Sequence, residues 1–459
     1  MKIILSNTLG KTKEEFNTID GSKTVRMYSC GPTVYNIAHI GNLRAYVCAD
    51  ILKRVLLYNG YEVKHIINVT DIGHLTSDAD SGEDKMVKAL KREGKDMTLH
   101  NMRSVADFYF QKFKEDTKKL NILDASHYPF ASDHIKEDID LIENLQNKHI
   151  AYKTSDGIYF DTSKVSYGKL FKSTSEDDSR KRIEHNQEKR NFKDFALWKF
   201  ADENGVGFEA PFGKGFPGWH IECSAMSEKY LGVPFDIHTG GIDHIPVHHN
   251  NEIAQTEGAR DELLARFWIH NAHITIGEEK MAKSGENFLS LSYLEAHNLS
   301  PLAYRYWLLT SHYSTQLSFD ISYIEQAQNA FKKLKNALGE LPPNGSVNEE
   351  YKQSRFIPLI NNDLDTPKAI ALVWEILKDP NLSPEDKKAT ILDFDKVFGL
   401  SLSSEDKEDV PQHIKELASK RDLARKNKDW QESDELRDQI QKQGFDIKDT
   451  DEGFLLIKK

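Results

Sequence analysis

Hydrophobic positions between residues 24 and 70 change period twice. Val25 to Tyr28 is a short β-prone run. From Asn42 to Tyr58 the apolar residues Leu43, Tyr46, Val47, Ile51, Val55 and Leu56 recur at helical spacing. Asn59-Gly60 marks the end of that pattern, as glycine does past a helix. Val63 to Val69 then reads as a buried strand. Strand, helix, strand in this order predicts a βαβ unit. The fold class expected is therefore α/β, with a parallel, doubly wound, Rossmann-like sheet.

The pattern weakens from about residue 95 to about 200, where it is helical at first and then irregular, as in an inserted module. Ser173 to Lys193 carries dense charge of both signs and reads as a solvated loop. Rossmann-like character resumes near Phe195. Phe235 to His238 is a strand candidate, followed by Thr239-Gly240-Gly241; His244 to Thr256 reads as a helix. Phe267 to His270 and His273 to Ile276 are further short strands. From about Leu302 onward the spacing is helical. It includes a long amphipathic stretch from Ile321 to Leu338, a break at Leu341 to Gly345, and a second helix from Thr366 to Leu377. Leu400 to Pro411 is polar and linker-like, and 412–459 reads as a helix pair with a short terminal hairpin. The expected division is a Rossmann-type domain over 1–310 with its insertion at about 95–200, a helical bundle over 311–400, and a small module over 401–459.

Composition bounds this picture. At 459 residues the chain is too long for one core. Its 39% hydrophobic and 29% charged residues suit an ordinary folded domain set. No run of about 18 apolar residues could span a membrane, and Met1 to Leu5 is too short an apolar run for a signal peptide. The three cysteines, Cys30, Cys48 and Cys223, are an odd and sparse set, which argues for a reducing, cytoplasmic compartment. Cys48 lies on the apolar face of its helix and reads as core. A net charge of -11 disfavours nonspecific nucleic-acid binding. One stretch runs against it. Between His413 and Trp430 lie Lys415, Lys420, Arg421, Arg425, Lys426 and Lys428, opposed only by Glu416, Asp422 and Asp429. Basic groups beside Trp430 suit unstacked RNA bases; the alternative is a solvated helix with the indole packed inward.

Two constellations carry chemistry. His248 and Glu252 are spaced to share one helix face, about 5–6 Å apart at Cβ. With Cys30 and Cys223 they would complete a two-sulfur, one-imidazole, one-carboxylate zinc site. The competing reading has two small buried cysteines and a surface His–Glu pair. The second constellation suits phosphate. His39-Ile40-Gly41-Asn42 opens a helix after a strand, where backbone N–H groups favour an anion. Gly41 admits close approach, and His39 and Asn42 can donate. The alternative is a turn with Asn42 capping the helix. Lys280 and Lys283, in "GEEKMAKSGENF", form a cationic loop that could close over a triphosphate or simply be solvated. Gly240, Gly241 and Asp243 add a close-approach backbone and a carboxylate for a ribose hydroxyl.

Taken together, these residues resemble the class I aminoacyl-tRNA synthetases. "HIGN" resembles that family's HIGH signature and "KMAKS" resembles KMSKS. "CGPTVYNIAHIGN", "NVTDIGHL", "PGWHIECSAMS" and "GGIDHIPVHHNNEIAQ" are similar, segment by segment and in order, to the cysteinyl-tRNA synthetase family, over essentially the whole chain. The resemblance implies zinc ligands at Cys30, Cys223, His248 and Glu252, and an amino-acid pocket lined by Trp219 with Thr70 helping to hold the substrate. It implies ATP handling by His39, Asn42, Lys280 and Lys283, and anticodon reading by Arg425, Trp430, Asp434 and Asp449.

L-cysteine, ATP with Mg²⁺, and tRNA(Cys) are the implied partners, and a monomer the implied state. The implied reaction is attack of the cysteine carboxylate on the ATP α-phosphorus, then acyl transfer to a terminal ribose hydroxyl. A soft metal on sulfur would separate cysteine from serine, which a pocket reading only shape rejects by roughly 10²-fold. Three departures stand out. Asn42 replaces the final histidine of the generic signature, as in the cysteine-specific branch. Ala282 replaces a serine, and "EGFLLIKK" lacks the usual terminal tryptophan. Two other readings share some of these residues: a cysteine-adenylating ligase of mycothiol synthesis, which lacks an extended anticodon module, and a noncatalytic tRNA-binding paralogue.

Overall fold

In the computed structural model the described residues are 2–72, 85–171, 188–202, 205–276, 279–280, 289–403, 412–450 and 453–458. Four strands build a parallel sheet: β1 (Thr24–Ser29), β2 (Glu62–Ile67), β3 (Phe235–Gly241) and β4 (Ala265–Asn271), in the order β4-β3-β1-β2. Ser29 pairs with Ile67 on one side and with Thr239 on the other, while Phe267 of β4 faces Ile237. The expected βαβ unit is present, with helix α1 (Ile40–Tyr58) between β1 and β2. Tyr28, Ile66, Met226, Phe235 and Trp268 pack into one core cluster of this region.

The chain order reverses direction between β1 and β3. Such a switch point opens a crevice at the carboxyl ends of the strands. Cys30 leaves β1 there, Asn68 to Thr70 leave β2, Gly240 and Gly241 end β3, and His273 follows β4. Two helices cover this end: α2 (Trp219–Leu231) and α3 (His248–Arg260), which pack against each other. The helix expected from His244 to Thr256 is divided. A short turn over Ile242–His244 precedes α3, which begins at His248.

The insertion is more ordered than its sequence suggests. Helices Leu99–Lys119 and Ile135–Asn147 are followed by an antiparallel sheet of Ala151–Lys153, Gly157–Phe160, Phe195–Phe200 and Gly215–Pro217. The stretch read as irregular is therefore sheet. Every residue of Gly157–Phe160 is buried, so no polar alternation marks it as a strand. Of the charged Ser173–Lys193 segment, 173–187 lies outside the described residues.

Helices Pro301–Leu309, Ile321–Gly339, Thr366–Lys378 and Pro384–Phe398 follow. A buried ion pair fixes one of them to α1: Arg305 Nη2 donates to Asp50 Oδ2 at 2.5 Å, and Arg305 Nε to the Phe398 carbonyl at 2.6 Å. Gly399 adopts φ +63° beside it, and a Cβ there would stand 2.6 Å from Arg305 Nη2. Met1–Leu400 forms one compact unit and Ser401–Lys459 a second. The second contains helices Gln412–Lys426 and Trp430–Lys442 and the hairpin Phe445–Thr450 with Gly453–Lys458, around Ile414, Ala418, Ile440 and Ile447. Among the described residues no helix is long and apolar enough to cross a membrane.

Candidate active site

A cavity of about 450 Å³ opens at the switch point. Its lining includes Cys30, His39, Gly41, Asn42, Thr70, Trp219, Cys223, Gly240, Gly241, Asp243 and His248. Segments far apart in sequence meet here because parallel strands deliver all their carboxyl ends to one edge.

The deep wall gathers metal-ligating atoms. One donor atom each from Cys30, Cys223, His248 and Glu252 lies within 4.8 Å of the other three. His248 Nε2 is 3.0 Å from Glu252 Oε1, one turn away on α3. The surface-pair reading of these two fails, since His248 is 2% and Glu252 0% exposed. Glu252 is held from both sides, with its Oε2 2.8 Å from His238 Nε2. Burial would raise the Glu252 pKa, but His238 and His248 together hold it well below the ordinary carboxylate range. Burial would lower that of His248; Glu252 and Cys223 outweigh it and raise it to about 10. The two cysteines share one proton unequally. A hydrogen bond from Cys30 brings the Cys223 thiol down to about 6, whereas burial, together with that bond, pushes Cys30 well up. A thiolate and a carboxylate against one imidazolium leave the cluster net negative in the interior, which favours a cation there. Two sulfurs, a nitrogen and an oxygen are donors that suit a borderline-soft metal.

The outer wall is the start of α1. The cap of this helix is His39, not Asn42: His39 Nδ1 accepts the Asn42 backbone N–H at 3.1 Å. An accepting Nδ1 places the ring proton of the neutral imidazole on Nε2. Two of the N–H groups expected for an anion are engaged within the protein, Asn42 with His39 and Ile40 with the Leu289 carbonyl at 2.8 Å. Leu289 and Ser290 directly follow the lysine-bearing loop in sequence. Lys280 lies in a short strand opposite Thr275; Lys283 and Ala282 are outside the described residues. Trp219 stacks on His248 with ring centroids 4.3 Å apart, so the side of the cavity is built on an imidazole of the candidate ligand set. At Gly240 a Cβ would stand 2.6 Å from His249 Cε1, so this glycine makes room for histidine rings.

Several lining or supporting residues escaped the sequence reading. Asn68 lines the cavity, and so does Lys85, whose Nζ is 6.0 Å from the Trp219 ring centroid. His238 and His249 form a second candidate ligand set with Cys30 and Glu252. The His248-His249 doublet and the Asn68-x-Thr70 spacing were visible signals. Nothing in sequence singles out Lys85.

In the second compact unit Trp430 is 57% exposed. The inward-packed reading of its indole does not hold. The Arg425 guanidinium lies 5.6 Å from the Trp430 ring centroid, and Asp434 is exposed one turn along the same helix. Asp449 sits in the hairpin opposite Phe454; its side chain is outside the described residues.

The chain is similar to known proteins along most of its length. The family described as tRNA synthetases class I (C) catalytic domain matches residues 16–329. A protein of Burkholderia lata named cysteine--tRNA ligase 1 is 43% identical over 461 residues, covering 99% of this chain and 96% of its own. The cysteine--tRNA ligase of Treponema denticola is 39% identical over 489 residues, with 98% of each chain covered. Methionyl-tRNA synthetase of Mycobacterium tuberculosis, solved with methionyl-adenylate, is similar in fold, with a TM-score of 0.56 at 13% identity over 83% of this chain and 90% of that one. A catalytic-domain match across most of the chain and full-length relatives at this identity meet on a cavity walled by the HIGN helix and a two-cysteine ligand set: the chain belongs to the cysteinyl-tRNA synthetase family of class I aminoacyl-tRNA synthetases.

Proposed function

We propose that this chain joins L-cysteine to the 3′ end of tRNA(Cys) through cysteinyl-adenylate. A carboxylate oxygen of cysteine attacks the α-phosphorus of ATP, and the bond to the pyrophosphate oxygen breaks. A terminal ribose hydroxyl then takes the acyl group and AMP leaves. No protein nucleophile is needed, so the site acts by placing the reactants and stabilising charge. The His39 Nε2–H, the partly positive start of α1, and Lys280 and Lys283 are assigned to the phosphates, which carry Mg²⁺. Gly240, Gly241 and Asp243 are assigned to the nucleoside, Trp219 and Thr70 to the amino acid.

Cys30, Cys223, His248 and Glu252 would hold one Zn²⁺. When bound, zinc supplies a soft Lewis acid for the substrate thiolate and so sets cysteine apart from serine. The observation that carries the reading is that one cavity is lined both by sulfur ligands and by the HIGN helix start. Recognition of a thiol and activation of a carboxylate thus occur in one enclosed volume. Arg425, Trp430, Asp434 and Asp449 are assigned to the anticodon.

The monomer is the proposed functional unit. The free thiols of Cys30, Cys48 and Cys223 suit the reducing cytoplasm. The decisive experiment is cysteine-dependent ATP–pyrophosphate exchange, followed by charging of tRNA(Cys). Exchange with cysteine and none with serine is expected. Absence of cysteine-dependent exchange in metal-loaded protein would refute the assignment.

A further inference from the structure

Asn68 directly follows β2 and faces the cavity. Its Oδ1 accepts the Gly31 backbone N–H at 2.8 Å. A backbone N–H can only donate, so this contact fixes which end of the amide is oxygen. The other end, Nδ2, donates to Thr70 Oγ1 at 3.1 Å. One planar side chain therefore ties the residue beside Cys30 to the hydroxyl of Thr70. Asn68 is 1% and Thr70 2% exposed, so neither bond is loosened by water. The loops have no slack between them: a Cβ on Gly31 would stand 1.4 Å from the Asn68 carbonyl oxygen. Two backbone bonds run alongside, Thr70 N–H to the Pro32 carbonyl and Val34 N–H to the Thr70 carbonyl, both at 3.1 Å. These keep the loops paired when the side chain is altered.

The two tied points stand at opposite ends of an amino acid. On the function proposed above, Cys30 belongs to the set that receives the side-chain sulfur. The Thr70 hydroxyl accepts from Asn68, and its own proton has no acceptor among the described residues. It is thus available to the polar groups on the substrate α-carbon. We infer that Asn68 is a positioning residue that sets the span between these two contacts, and so selects cysteine over a thiol amino acid with a longer side chain. Homocysteine carries the same thiol, ammonium and carboxylate with one more methylene, and cannot satisfy both contacts of a fixed span. A misfit of one methylene is worth roughly 10–200-fold in such sites.

The test is steady-state ATP–pyrophosphate exchange with L-cysteine and with L-homocysteine as separate substrates. Asn68→Asp keeps the acceptor for Gly31 and removes the donor to Thr70. It is expected to raise the cysteine KM about tenfold with kcat little changed. Homocysteine kcat/KM should move less than about threefold, so the ratio between the substrates falls. Added to Thr70→Val, the same change should cost nothing more, because its partner is gone. The thiolate-to-metal absorption of cobalt-substituted Asn68→Asp protein should match wild type, which shows Cys30 in place. Equal losses for both substrates, or additive effects in the double variant, would overturn the inference. A wild-type protein without cysteine-dependent exchange would instead remove the functional reading beneath it.

Discussion

His249 Nε2 lies 3.1 Å from Cys30 Sγ, within hydrogen-bond range of a sulfur. His249 Nδ1 is in turn 2.7 Å from His270 Nε2, and His270 Nδ1 is 2.8 Å from Thr8 Oγ1. Burial keeps both imidazoles neutral, with pKa values well below the ordinary range. A neutral imidazole has one donor and one acceptor, so the three bonds must all run the same way. If the Cys30 sulfur accepts, as a thiolate ligand must, the chain runs from the Thr8 hydroxyl through His270 to His249. The second candidate ligand set shares Cys30 and Glu252 with the first. On the proposed Cys30, Cys223, His248 and Glu252 site, His238 and His249 act as supports of one centre, bonded to Glu252 and Cys30.

Removing such a support weakens metal binding. His249→Ala is expected to lower zinc affinity about 10–100-fold. Thr8→Val should act in the same direction but less, since it only frees the far end of the chain to reverse. Competition with a coloured chelator measures both. Unchanged affinity in His249→Ala would reduce that residue to a packing role.

Metal uptake should release protons. Near pH 7.5 Cys223, held down to about 6, is already a thiolate. His248, raised to about 10, and Cys30, pushed well up by burial, still hold theirs. An incoming ion must displace both, about two protons per metal. Affinity then rises with pH by roughly a hundredfold per unit around neutrality, and the slope steepens below about pH 6 as Cys223 also protonates. Zinc titration into weakly buffered apo-protein with a pH indicator gives the count. Release of no proton would contradict this arrangement.

The fold should lose stability in mild acid through His65. It is 2% exposed, its Nε2 lies 2.8 Å from Ser29 Oγ, and burial lowers its pKa to about 3. The folded value lies below the unfolded value of about 6.5, so the unfolded chain binds the proton first. The contribution is complete above pH ~6.5 and is lost progressively as pH falls toward ~3. At pH 5 this amounts to about 2 kcal/mol. Urea unfolding at pH 7 and pH 5 should show a smaller difference for His65→Asn than for wild type. Parallel pH profiles would exclude His65 as the source.

How much of this was legible follows from where each signal resides. α1 could be read because its stripe of Leu43, Val47, Ile51 and Val55 is local. The antiparallel sheet of the insertion could not, because Gly157–Phe160 is buried on both faces and shows no period. The extension of β3 through Gly240 and Gly241 was hidden for another reason: glycines usually mark turns, yet these two stay in the sheet, where histidine rings take the space of a side chain at Gly240 and the Asp243 carboxylate takes it at Gly241. The metal set was open to two readings, since spacing ties only His248 to Glu252. Cys30 and Cys223 join them through the switch point, which is a property of strand order. Asn68 illustrates the limit most plainly, because an asparagine after a strand is an ordinary turn residue until its two bonds are seen.

The exposed indole of Trp430 supports a final prediction. Its unit has a core of Ile414, Ala418, Ile440 and Ile447 that the ring does not join, and Leu423 nearby in sequence is also 59% exposed. The Arg425 guanidinium, 5.6 Å from the ring centroid, leaves a flat aromatic surface beside a positive charge. A stacked base is worth about 1–3 kcal/mol, so Trp430→Ala should lower kcat/KM for tRNA(Cys) roughly 10–100-fold. Adenylate formation takes place in the other compact unit and should stay within about twofold of wild type. Arg425→Ala should weaken charging and reduce the salt dependence of tRNA binding by about one phosphate contact. Charging and exchange assayed on the same preparations separate the outcomes. An equal fall in both would mean that the substitution damaged the protein, while intact charging would show that the indole does not meet tRNA.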